Sequence, residues 1–265
     1  MLTFRDLASG LRKLEVDPAK PVIIHASLSS FGEIRGGVDT LLGAILANFP
    51  SILTPAFTYK TMLTPESGPA DNGIIYGTAY TQNRMAEFFT PDLPCDRSMG
   101  ILAEKIRAHP KATRSSHPIL SFTGINLEKI IASQSVEEPL APIQSLYEQE
   151  GTVLLLGVDH TVNTSIHLAE SMAGRKTFTR WALTPTAIIE CVNFPGCSDG
   201  FNQVQYLLED NTQIIQIGDA KIICLPVKPM VDKLVNHLED QPLALLCDRE
   251  QCPRCDAVRT STASQ

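Results

Sequence analysis

An excess of basic charge is missing. Lys and Arg number 22 against 29 Asp and Glu, a formal net charge of −7, and without a basic field nothing holds a nucleic-acid backbone. Also missing is any apolar stretch near the roughly 20 residues that span a bilayer. The opening segment MLTFRDLASGLRKLEVDPAK has no continuous apolar core of the secretory kind. These absences point to a cytoplasmic, reducing location in which disulfides are disfavoured. Internal repeats, low-complexity tracts and long charge runs are absent too. What remains is 43% hydrophobic and 19% charged, at 28.9 kDa with a mean hydropathy of +0.02. That composition excludes intrinsic disorder and fits one substantial α/β domain better than three small ones. The acidic balance suits a cationic substrate.

Residues 3–15 repeat Phe4, Leu7, Leu11 and Leu14 at helical spacing. Pro21 opens an apolar strand, Val22-Ile23-Ile24, which runs into the small-residue stretch from His25 to Gly32. A helical pattern over 38–49, with Asp39 in its first turn, and a strand at 51–54 complete a βαβ opening. Residues 58–83 are irregular and carry Gly68, Pro69, Gly73 and Gly77, a length of loop that is usually functional or ordered by ligand. Helices are predicted over 99–108, 126–133 and 144–149. TVLLLG at 152–157 is the most strand-like run, apolar on both faces and therefore central. A helix over 164–173 follows it. Beyond Phe178 the pattern turns β-like and Pro-punctuated, with a strand at 220–225 and a helix at 230–238. A boundary near residue 175 separates the α/β part from a more irregular one.

Three constellations can carry chemistry. The Ser- and Gly-rich loop between strand 22–24 and helix 38–49 presents hydroxyls and backbone N–H groups at a positive helix end, which suits phosphate. It has neither the Gly-Lys-Ser/Thr of a Walker A motif nor a dinucleotide fingerprint, and an ordinary small-residue turn reads the same. The second is NTSIHLAE. Asn163 or Thr164 can cap the helix, which puts His167 in its first turn and Glu170 three residues on, along the same face. The carboxylate can then hold the imidazole in one tautomer and stabilise its cation, as a general base requires. A surface His–Glu pair or a satisfied buried histidine has the same spacing. The third is Arg114-Ser115-Ser116-His117-Pro118 with Ser121 and Phe122 beyond. Arg114, Ser115 and Ser116 can grip a second phosphate while Phe122 packs on an apolar arm; a polar turn leading into a strand is the plain alternative. His117, before Pro118, reads as structural. His25, His109, His160 and His237 show no partner in sequence.

The seven cysteines are Cys95, Cys191, Cys197, Cys224, Cys247, Cys252 and Cys255. Cys252-x-x-Cys255 is spaced to chelate zinc, but a closed structural site takes four ligands, and only Cys247, Cys252 and Cys255 cluster. Cys191 or Cys197 would have to arrive through the fold. Free structural thiols are therefore favoured over zinc, and a thioredoxin-like redox pair least of all.

Six segments stand in one order and spacing: HASLSSFGEIRGGVDTLLGAIL, TPAFT, RSMGILAEKIR, ATRSSHPILSF, APIQSLYEQEGTVLLLGV and NTSIHLAE. Together they resemble the aminoglycoside 3-N-acetyltransferase (antibiotic N-acetyltransferase) family, well over residues 3–175 and more loosely beyond. The resemblance implies an α/β single domain with a mixed central sheet flanked by helices, distinct from the GNAT fold. Residues 1–175 would be its CoA-binding core and 176–265 its irregular substrate side. It implies acetyl-CoA as co-substrate and transfer of acetyl to the 3-amino group of an aminocyclitol antibiotic, the chemistry of antibiotic resistance. Ser27, Leu28, Ser29, Ser30 and Phe31 would cradle the CoA pyrophosphate. Arg97, Ser98, Met99 and Gly100, with Ser116 and Phe122, would line the nucleotide and pantetheine arm. His167 and Glu170 would be general base and orienting carboxylate, and direct attack of the amine on the thioester needs no acyl-enzyme. Asp71, Asp159, Asn163, Glu190 and Asp199 are candidates to hold a cationic acceptor.

The chain departs from the family at the substrate wall. CVNFPGCSD, ending at Asp199, stands where resistance enzymes of the family carry an acidic Asp-Phe-Asp-type segment. Two rivals follow: the same chemistry on another amine, such as an aminonucleotide or a metabolite, and a CoA-binding protein without catalysis. Neither a nucleic acid nor a membrane is expected as partner. A homodimer is, from the commonness of twofold assemblies.

Overall fold

The computed structural model describes residues 1–263. Its first elements are α1 (Phe4–Leu11), β1 (Val22–Ala26), α2 (Gly37–Leu46), β2 (Ile52–Pro55) and the two-residue β3 (Met62–Leu63). Then come α3 (Ala79–Gln82), α4 (Gly100–Arg107), β4 (Ala112–Arg114), β5 (Phe122–Ile125), α5 (Glu128–Ala132), α6 (Ala141–Glu148) and β6 (Thr152–Leu156). The remainder are α7 (Ile166–Met172), β7 (Phe178–Leu183), β8 (Ile188–Phe194), β9 (Gln213–Ile217), β10 (Ala220–Pro226), α8 (Val227–Asp240) and α9 (Pro253–Ala263).

Seven strands make one sheet in the order β4-β5-β2-β1-β6-β10-β9. β1 runs parallel to β2 and β6, while β5 and β10 run antiparallel to β2 and β6, so the sheet is mixed. β3, β7 and β8 form a second, antiparallel sheet. The unbroken apolar runs of β1 and β6 follow from cover on both faces. Val22 and Ile24, with Leu154 and Leu156, enter a core shared with α1, α2 and α4. Ile23, with Val153 and Leu155, enters the opposite core, shared with α6, α7 and α8. The twofold alternation of a strand thus divides one hydrophobic run between two layers of helices.

Two expectations change. The helix read over 3–15 stops at Leu11, and Phe4 is half exposed, lying against Gly43 of α2. The division near residue 175 does not follow the sheet: β10 pairs with the whole of β6, and α8 shares the core of α6 and α7. The irregular part therefore contributes two strands and a helix to the main layer structure. β9 is an edge strand of Gln and Ile, and α9 buries only Cys255, Ala257 and Val258. Neither has a stripe apolar enough to announce itself.

The carboxyl ends of β1, β2 and β6 meet at one crevice. β1 leads into α2 in one core, and β6 leads into α7 in the other. Strands that send their helices to opposite faces leave a gap between their ends, which is where open α/β sheets bind ligands. Gly157 stands at this gap with φ +70°, and a Cβ there would collide with Ser30. Its carbonyl accepts a hydrogen bond from Ser30 Oγ at 2.7 Å, so the turn after β6 pins the loop after β1. Gly157→Ala is expected to cost about 1–3 kcal/mol from backbone strain alone, read as a lower midpoint of urea unfolding. An unchanged midpoint would contradict this packing.

Candidate functional site

The turn after β6 delivers the first turn of α7 to the crevice, and with it His167. The helix is capped by Ser165 backbone without a side-chain bond, which corrects the expected Asn163 or Thr164 cap. Asn163 is fully buried, and its Oδ1 accepts from Ser165 N–H, so it shapes the loop before the helix instead. His167 Nδ1 lies 2.6 Å from Glu170 Oε2, and both side chains are buried. Arg175 Nη1 donates to Glu170 Oε1 at 2.7 Å, and Nη2 donates to the carbonyls of Pro242 and Ala244. Burial alone would raise the Glu170 carboxyl. The hydrogen bond and charge of His167, with those of Arg175, overcome it and hold the group below the usual carboxylate range. An ionised Glu170 takes the proton-bearing Nδ1 and leaves Nε2 as the basic nitrogen of His167. Phe201 stands edge-on to the imidazole, with ring centroids 4.8 Å apart.

His167 lines a cavity of about 730 Å³ together with His25, Thr54, Tyr59, Met99 and Asn163. A second cavity of about 690 Å³ is lined by Ser27, Leu28, Ser29, Gly37, Arg97, Ser98, Gly100 and Ile101. The two share Ala26, Ser98 and Val158, so they adjoin. Of the residues expected to hold a cofactor, Ser27, Leu28, Ser29, Arg97, Ser98 and Gly100 face the second cavity and Met99 the first. Four do not. Ser30 spends its hydroxyl on Gly157, and Phe31 is 2% exposed in the core. Ser116 is exposed outside both cavities, and Phe122 is wholly buried against the edge of Phe57. The second phosphate grip is not formed either. Arg114 spends its guanidinium on the carbonyls of Ala56, Pro91 and Leu93 and on Ser121 Oγ. That segment braces loops. His117 is structural as expected, its Nδ1 accepting from the N–H groups of Ile119 and Leu120.

The expected acceptor residues mostly stay away. Asn163 lines the first cavity, but Asp71, Asp159, Glu190 and Asp199 line neither. Asp71 is exposed at a turn with φ 52°. Asp159 accepts from Thr161 and Asn202, Glu190 from Trp181 Nε1, and Asp199 pairs with Arg249 at 2.7 Å. No described Asp or Glu lines the first cavity; its permanently charged lining is Arg180 and Arg254. Arg180 is 6% exposed, donates to the carbonyls of Asn72 and Thr179, and sits over the rings of Phe178 and Phe194. Burial and the nearby Arg254 charge pull its pKa down to about 10. A sign of Arg180 was available in sequence: FTRWAL alternates, and it puts an arginine on the buried face of β7. Arg254 carried no such sign.

His25, at the end of β1, is the other residue that sequence left without a role. It is buried, faces the first cavity, and its Nε2 has no partner.

Residues 23–239 match the family model described as aminoglycoside 3-N-acetyltransferase. Over 176 residues the chain is 29% identical to the SPbeta prophage-derived aminoglycoside N(3')-acetyltransferase-like protein YokD of Bacillus subtilis, 63% of this chain and 64% of that protein. Over 173 residues it is 31% identical to aminoglycoside N(3)-acetyltransferase IV of Salmonella sp., 63% of this chain and 58% of that one. The match thus spans under two thirds of the length of these curated relatives. Among solved structures, the apoenzyme of aminoglycoside acetyltransferase AAC(3)-IVa is 25% identical with a TM-score of 0.79, covering 98% of this chain and 97% of that one.

Burial pulls the pKa of His25 down to about 3 and that of His117 to about 4. In the unfolded chain both protonate near the ordinary value of about 6.5. The stability they contribute is therefore whole above that value and falls as pH drops through it, by up to about 1.4 kcal/mol per pH unit for each histidine. Urea unfolding between pH 7.5 and 5 should show this slope, and His25→Asn should make it shallower; an identical slope in the variant contradicts the neutral burial of His25.

Proposed function

The chain belongs to the aminoglycoside 3-N-acetyltransferase family, and from that premise we propose that it transfers the acetyl group of acetyl-CoA to an amine, with His167 as general base. The observation that carries the reading is the buried His167–Glu170–Arg175 chain opening on one of two adjoining cavities. Ser27, Ser29 and Arg97 would meet the phosphates of CoA, aided by the positive end of α2. Asp39 in the first turn of α2 would oppose an anion, but Lys105 is paired with it. Ser98 and Val158, common to both cavities, would pass the arm through to the cavity that His167 lines. AAC-IIIb, a protein of similar fold at 22% identity and a TM-score of 0.71, was solved with CoASH, which supports this use of the cleft.

In the proposed reaction the amine nitrogen attacks the thioester carbonyl and the carbon–sulfur bond breaks. The proton lost from nitrogen goes to His167 Nε2 and from there to the departing sulfur. Glu170 keeps the other nitrogen protonated throughout, and Arg175 keeps Glu170 charged. His167→Ala should lower thiol release from acetyl-CoA by roughly 10²–10⁴, while the Kd for CoA measured by calorimetry stays at the wild-type value. Retained turnover would overturn the base; lost CoA binding would point to a structural role instead.

The acceptor that the family implies is the 3-amino group of an aminoglycoside, and a chain of charge −7 would steer such a polycation. A second reading is favoured by one observation, the pair of arginines and the lack of any described carboxylate around the first cavity. Those groups suit an amine that also carries a carboxylate or phosphate, held by charge-assisted hydrogen bonds. Aminoglycosides, neutral amines and amines bearing a phosphate or carboxylate, compared by kcat/KM, separate the two. On the second reading the anionic amines lead, and Arg254→Ala lowers their kcat/KM about tenfold while sparing neutral amines. Preference for aminoglycosides, unaffected by Arg254→Ala, would return the assignment to the antibiotic.

A further inference from the structure

Four cysteines converge beside the acceptor cavity. Cys197, Cys247, Cys252 and Cys255 are all buried, and their four Sγ atoms all lie within 4.8 Å of one another. They come from three stretches: the turn after β8, the segment after α8, and the start of α9, which the Cys252-x-x-Cys255 pair straddles. The fold thus supplies the fourth ligand that sequence spacing lacked. Cys197 provides it, and Cys191 does not: its thiol stays in β8, directed to the Ile189 carbonyl.

We propose that these four cysteines bind one structural Zn²⁺. Zinc takes four thiolates tetrahedrally at about 2.3 Å, which sets neighbouring sulfurs about 3.8 Å apart. Cys247 and Cys255 Sγ are 3.5 Å apart, so the cluster is already close to that spacing. A tetrathiolate zinc centre carries net negative charge, and a cation stands beside it. Arg249 Nη2 lies 3.7 Å from Cys197 Sγ and 3.8 Å from Cys252 Sγ. Donors on metal-bound sulfur of this kind orient and stabilise ligands. All-sulfur tetrahedral sites select zinc or iron–sulfur clusters over hard cations, and zinc needs no second metal or sulfide to complete the site.

The packing indicates what the metal does. α9 buries few side chains, too few to hold it against the body by hydrophobic contact alone. Yet its start carries Pro253 and Arg254 into the cavity lining, where Pro195, Gly196 and Ser198 flank Cys197. Arg254 Nη1 donates to the Gly196 carbonyl at 2.8 Å, which joins these two wall segments. Zinc would tie them covalently, fixing Arg254 against the rest of the wall.

Elemental analysis of the purified chain is expected to find one zinc per chain. Dialysis against EDTA should leave it, and a mercurial that caps thiolates should release it into a colorimetric chelator. Protein stripped under reducing conditions should take up one Zn²⁺ from ZnCl₂ alone, with a rise in Tm. Cys197→Ser should lower both zinc content and Tm, and Cys191→Ser should leave the zinc content unchanged. Three results would overturn the site: purified protein without zinc that takes up none when stripped, iron in its place, or a mass showing these cysteines oxidised to disulfides. The wild-type measurements stand even where a cysteine variant fails to fold.

Discussion

A buried carboxylate that must keep its partners organises this molecule. Glu170 is 5% exposed, and an ionised carboxylate out of water is tolerated only when its oxygens are matched by cations or donors. His167 meets one oxygen and Arg175 the other. Removing either would cost roughly 3–5 kcal/mol, because the charge left behind would stay buried. The two partners reach in different directions. His167 belongs to the same helix and faces the cavity, while Arg175 continues to the carbonyls of Pro242 and Ala244 beyond α8. Satisfying one charge therefore sets the imidazole's orientation and anchors the segment that leads to Cys247 and α9.

Charge acts at two ranges here, with opposite signs. The chain as a whole is acidic, but screening confines that field to about 8–10 Å at ordinary salt. Within the cavity the near charges are Arg180 and Arg254, and burial makes Arg180 act through a low-dielectric medium. The carboxylates that could have offset them are turned to local work: Asp159 on Thr161, Glu190 on Trp181, Asp199 on Arg249. Net charge governs approach, and the cavity lining governs what stays. The same wall holds the cysteine cluster, so the geometry of Arg254 and the state of those thiols are linked.

Local patterns were readable and long-range closures were not. The βαβ opening, the central strand β6 and the His167–Glu170 pair each depend on residues within one or two turns, where periodicity and spacing speak directly. The loop from Ser27 to Phe31 shows the limit of that approach. It folds as a 3-10 turn over Leu28–Phe31, where side chains three apart share a face in a regular helix, yet Leu28 and Phe31 part. Ser27, Leu28 and Ser29 face the cleft, while Ser30 and Phe31 face the protein. Composition could not divide them. Arg114 looked like a phosphate ligand because nothing in sequence reveals three carbonyls waiting for it. Likewise Cys197 joins the other thiols only because the turn after β8 meets the segment after α8 and the start of α9.

Everything in this arrangement turns on Glu170 fixing His167 with the proton on Nδ1 and the lone pair on Nε2. Nitrogen-15 NMR of imidazole-labelled protein at neutral pH reads that tautomer directly. His167 should show a protonated, hydrogen-bonded Nδ1 and an unprotonated Nε2, and Glu170→Gln should release it to a mixture of tautomers. A His167 carrying its proton on Nε2 in the wild-type protein would contradict this arrangement.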